Sequence, residues 1–160
     1  MLVLGVAASH APTTLLPVEE WPAVYERLVG DVPQPLAAAA ETAETNLIAR
    51  RRIDEGFAAM RRAVAAARPD VIVIVGDDQD EVFGPAFNPT LAVYCGTEVT
   101  GHTLPRFRDR PDIDRQVKLR CDRDLASHFA AELVHRGFDP AVMTELRPLS
   151  QPDGGIGHAF

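Results

Sequence analysis

Two patterns divide this chain: runs that are apolar at nearly every position, and longer segments that are apolar at every third or fourth. Leu2 to Ala8 and Val71 to Val75 are of the first kind, as are the stretches "TLAVYCG" and "DPAVMTEL". An unbroken apolar run predicts a strand covered on both faces, as in a sheet with helices on either side. The first run stops at "SHAPTTLLP", where Pro12 and Pro17 forbid regular structure. The second stops at Gly76 and the acidic "DDQDE". Between them, Leu36 to Arg68 carries Ile53, Phe57, Met60 and Val64 on one helical face and ends at Pro69. Asp114 to Arg136 repeats the pattern with Val117, Cys121, Leu125 and Phe129, and Gly137 stands at its C-terminal cap. "VEEWPAVYERLVGDVPQP" holds one short helix at most, with Pro22 near its start, and "TEVTGHTLPRFRDRPDID" reads as a surface loop. Strands alternating with helices predict an α/β protein, a layered mixed or parallel sheet with helices on both faces. At 160 residues this is one domain, spanning 1–160.

Composition narrows the partners. A formal net charge of -7 provides no basic face for nucleic acid or an anionic bilayer. No apolar run approaches the about 18 residues that a membrane span needs. The two cysteines, Cys95 and Cys121, lie far apart without metal-type spacing, which fits a reducing cytoplasm. The partners expected are small molecules or other proteins.

Ligands of open α/β sheets bind beyond the carboxyl ends of the strands. Three polar groups fall at such places: His10, the Asp77 to Glu81 cluster, and His158 in the glycine-rich "LSQPDGGIGHAF". Each has a plainer reading. His10 fits a turn, "DDQDE" fits a helix cap or a solvated loop as well as a site for a hard cation, and a lone histidine such as His158 is often structural. His102 is a weaker candidate, His128 and His135 carry no role, and Arg50, Arg51 and Arg52 read as a solvated helix face.

Taken together and in order, "LGVAASHAP", "RPDVIVIVGDDQDEVF", "NPTLAVYCG" and "GGIGHAF" resemble the class III extradiol ring-cleavage dioxygenases, the superfamily of the protocatechuate 4,5-dioxygenase β subunit. The resemblance implies a non-haem Fe(II) site that opens a catechol-like ring with O2 in the catabolism of aromatic compounds. His10 matches the family's first iron-binding histidine. Gln79 stands where the family has its second, four residues before Phe83, and Asp78 precedes it, placed to orient the ligands. His158 matches the catalytic histidine that contacts substrate or moves protons, and Pro12, beside His10, falls in the substrate-binding stretch. A neutral amide oxygen is a weaker iron ligand than imidazole, so Gln79 departs from the pattern in a way that bears on the metal.

The resemblance covers the N-terminal half to two thirds of a typical member, so the expectation is that the family's C-terminal part, with its glutamate ligand, is lacking. Two further readings stay open: a dioxygenase-like binding or partner subunit without ring-cleaving activity, and a metal-dependent hydrolase using the acidic loop. An open apolar sheet edge favours a homo-oligomer.

Overall fold

The computed structural model describes residues 1–30, 32, 35–78, 81–102 and 115–146. They fall into two units, Met1–Ile72 and Val73–Phe160, which are described separately.

The first unit is helical. After an N-terminal segment without helix or strand, 3-10 turns at Pro12–Thr14 and Val18–Glu20 lead into helix α1, Trp21–Val29, which has Pro22 in its first turn. Leu16 and Val24 form the buried centre, and the indole Nε1 of Trp21 donates to the Leu16 carbonyl at 3.2 Å. Helices α2, Pro35–Ala40, and α3, Ala43–Ala67, occupy the stretch expected to be one helix. Thr42 divides them. Its hydroxyl accepts from the Thr45 N–H at 3.1 Å, and its own N–H donates to Thr45 Oγ1 at 2.8 Å. This reciprocal capping box satisfies two amide donors that a helix start otherwise leaves open, so a new helix begins. Thr42→Ala is therefore expected to destabilise the protein by about 1 kcal/mol, seen as a lower urea midpoint at unchanged slope. At the other end Arg68 adopts a left-handed conformation, φ 44°, and Pro69 prevents continuation. The half-buried positions of α3 include Arg50, Ile53, Phe57, Met60 and Val64, the expected stripe extended by one turn at its N-terminal end.

The second unit carries two small sheets. Strands β1, Ala92–Tyr94, and β4, Ala141–Met143, pair in parallel with Ala92 opposite Ala141. Strands β2, Glu98–His102, and β3, Gln116–Arg120, pair antiparallel with Val99 opposite Leu119. Helix α4, Arg123–His135, crosses between β3 and β4 and packs Ala126, Ala130 and Leu133 on Val93 and Cys95. The mixed α/β class expected from the sequence holds, with helices, a parallel pair and an antiparallel pair together.

Three local expectations change. Glu98–His102 is strand rather than loop. The helix expected over 114–136 becomes a strand followed by a shorter helix, because "QVKLR" also alternates with period two and pairs with β2, while the Asp122 carboxylate accepts from the Leu125 N–H at 3.0 Å and starts α4 there. The covered face of α4 shifts accordingly, leaving Leu125 and Phe129 half-exposed. Finally, neither Leu2 to Ala8 nor Val71 to Val75 belongs to a strand ladder among the described residues, and Leu2 and Val75 are 89% and 88% exposed. A strand exists only through a neighbour, and apolar β-formers alone do not supply one. The helix stop at Gly137 is as expected. Gly137, φ 87°, donates to the Val134 carbonyl at 2.9 Å and Phe138 to that of Leu133 at 3.0 Å, a Schellman closure.

Candidate functional site

His10 is exposed and lies two residues before the 3-10 turn that opens at Pro12. The residues on either side of it are tied down. Ala11 donates its N–H to Ser9 Oγ at 3.2 Å, and its carbonyl accepts from both the N–H and the hydroxyl of Thr14, at 2.9 and 2.6 Å. Pro12, half-buried, opens the 3-10 turn, and its carbonyl accepts from Leu15 and Leu16, each at 3.0 Å. Proline fits there because its fixed φ suits the first turn of a helix and its missing N–H has no partner to lose.

Arg50 completes this arrangement. Expected on a solvated face with Arg51 and Arg52, it instead turns inward, 19% exposed, and donates from Nη1 to the carbonyls of Thr14 at 2.9 Å and Thr13 at 3.4 Å. Its Nη2 meets Asp54 Oδ1 at 2.5 Å. Sequence held the clue: Arg50 lies three residues before Ile53 and seven before Phe57, in register with the stripe that docks α3.

In the second unit, the acidic loop folds back on its own backbone. Asp78 accepts from Val82 N–H through Oδ1 at 2.9 Å and from Phe83 N–H through Oδ2 at 3.0 Å. Both carboxylate oxygens thus terminate the loop in the manner of a cap, and the next turn is held by Phe87 N–H on the Gly84 carbonyl at 2.9 Å and by the edge-on rings of Phe83 and Phe87, 6.0 Å apart. Glu81 is buried and Asp77 exposed. Gln79 and His158 lie outside the described residues. His10 belongs to one unit and Asp78 to the other.

The donor set bears on iron. His10 offers an imidazole, but among the described residues no group of three His, Cys, Asp or Glu side chains could hold a metal ion. The described residues alone do not make an Fe(II) site. Of the other described histidines, His102 ends β2, while His128 and His135 are exposed on α4, His135 lying 3.5 Å from Glu132.

Tyr94 and Cys121 form a second chemically distinct spot. Tyr94 donates its hydroxyl to the Glu98 carbonyl at 2.6 Å, and its ring lies against Gly96. Burial, with the negative charges of Cys121, Glu98 and Glu145, holds the phenol above its ordinary 10.0, and burial raises the Cys121 thiol above 9.0. A thiol so placed is a poor nucleophile near neutral pH.

No described helix is long and apolar enough to cross a membrane. No protein-family model, curated protein sequence or solved structure matches this chain.

Proposed function

We propose that this protein is an extradiol-type dioxygenase domain that opens a catechol-like ring with O2 and Fe(II), working in the cytoplasm as a homo-oligomer. The observation that carries the reading is the order and wording of four stretches, "LGVAASHAP", "RPDVIVIVGDDQDEVF", "NPTLAVYCG" and "GGIGHAF", which resemble the class III enzymes in register. The exposure of His10 between two hydrogen-bonded neighbours, Ser9 and Ala11, supports it, since a ligand or substrate-binding group must be both reachable and fixed. In this reading His10 and Gln79 bind the metal, Asp78 shapes the loop that carries Gln79, Pro12 borders the substrate, and His158 positions it or moves its protons, a task that suits imidazole because its ordinary pKa is near neutrality.

One observation favours a second reading, a dioxygenase-like subunit that binds without cleaving. Both oxygens of the Asp78 carboxylate are engaged by the amides of Val82 and Phe83, and its neighbour is an amide rather than an imidazole. Anaerobic loading with Fe(II), metal quantification, and oxygen uptake with catechol, protocatechuate and gallate separate the two. Near-stoichiometric iron with diol-dependent uptake is the expected result. Iron retained without uptake for any diol supports the binding subunit, and no iron retained removes the dioxygenase reading.

A further inference from the structure

Resting on the reading of His10 as a site residue, we propose that Arg50 is its positioning residue, locking the turn that presents the imidazole to helix α3. The argument follows the hydrogen bonds inward. Arg50 Nη1 grips the carbonyls of Thr14 and Thr13; Thr14 in turn holds the Ala11 carbonyl through both its N–H and its hydroxyl; Ala11 holds Ser9 Oγ. His10 sits between Ser9 and Ala11, so both its neighbours are tied into a chain that ends on one guanidinium. Leu16 packing and the Trp21 indole hold the C-terminal side of this turn, and Arg50 ties its Thr13 and Thr14 carbonyls to α3.

The chemistry needs arginine. Bonds from a guanidinium to carbonyls are charge-assisted, and the planar fork lets one nitrogen serve the turn while the other is fixed by Asp54. Asp54 is 65% exposed, so the ion pair by itself adds little stability; its effect is to set the plane of the fork. Lysine carries the charge but has a single nitrogen, which cannot hold Asp54 and aim at two carbonyls in one fixed geometry. Arg51 and Arg52, exposed on the same helix, provide matched controls for loss of charge.

The test follows the His10 ring directly. With histidine ring nitrogens labelled and His10 assigned through His10→Gln, the ring signals are compared in the metal-free protein, Arg50→Lys, Arg50→Ala and Arg51→Ala. We expect the His10 signals to shift or broaden in both Arg50 variants while those of His128 and His135 stay in place, and Arg51→Ala to leave all of them unchanged. Arg50→Lys guards against a trivial loss of folding: it should keep the unfolding midpoint of Arg51→Ala yet still move the His10 signals. His10 signals indistinguishable from wild type in a folded Arg50 variant overturn the proposal. Because no metal is present, a protein that later fails to bind Fe(II) would defeat the dioxygenase reading while leaving the role of Arg50 in place.

Discussion

Leu16→Ala is expected to destabilise the protein by about 3 kcal/mol, within the range of about 2–5 kcal/mol seen when a buried leucine is emptied. Among the described residues Leu16 is the most completely buried large side chain, 1% exposed, and it lies between the 3-10 turn after His10 and helix α1. Its N–H donates to the Pro12 carbonyl at 3.0 Å and its carbonyl accepts from the Trp21 indole at 3.2 Å. Those bonds hold the backbone in place, so the cavity left by the side chain cannot simply close. Leu15, its neighbour and 51% exposed, is the control, since substitutions at exposed sites change stability by at most about 0.5 kcal/mol. The measurement is urea unfolding followed by fluorescence of Trp21, the one tryptophan, which lies beside the substitution. Equal midpoints for Leu16→Ala and Leu15→Ala would show that this packing does not hold the turn.

Gly96→Ala is expected to cost about 1 kcal/mol, mainly the hydrogen bond that the displaced Tyr94 hydroxyl gives up. A Cβ at Gly96 would run into the hydroxyl and Cζ of Tyr94, with Cε1 only 2.9 Å away. The ring must swing out, and the bond from its hydroxyl to the Glu98 carbonyl, 2.6 Å in the native protein, is lost. An optical signature accompanies the loss. Burial holds the Tyr94 phenol above 10.0, so a displaced ring should titrate closer to that value, read from absorbance in a Tyr25→Phe background because only two tyrosines are present.

The same raised groups contribute to the pH dependence of stability on the alkaline side. For Cys121 and Tyr94 the unfolded chain releases its proton first, near 9.0 and 10.0, while the folded protein still holds it. Their contribution is therefore complete below those values and disappears as pH rises through the higher folded ones. Tyr94→Phe should flatten the decline above pH 10.0, and an unchanged decline would contradict the burial described.

What the sequence made legible was local. Helix α3 followed from its stripe, α1 from Pro22 and Gly30, and the end of α4 from Gly137, because each depends on residues within a turn or two. β1 and β4 were readable because their apolar runs do find each other in parallel pairing. What failed was non-local. "QVKLR" satisfies both helical and strand periods, and only β2 as a partner decides between them. "VIVIV" has every intrinsic quality of a buried strand, yet no ladder forms on it among the described residues. At the candidate site, His10 was visible from its place after an apolar run. The inward turn of Arg50 was hidden by its charge, although its register with Ile53 pointed to it. The capping of Val82 and Phe83 by Asp78 depends on how the loop curls, which no residue spacing reveals.

Ring opening in an atmosphere of ¹⁸O2 tests the central claim most directly. Protein loaded with Fe(II) and supplied with catechol or protocatechuate is predicted to yield a muconic semialdehyde-type product labelled in its new carboxylate, and His10→Ala is predicted to yield none. Intact diol after incubation with iron-loaded wild type, or the same labelled product from His10→Ala, would contradict the account.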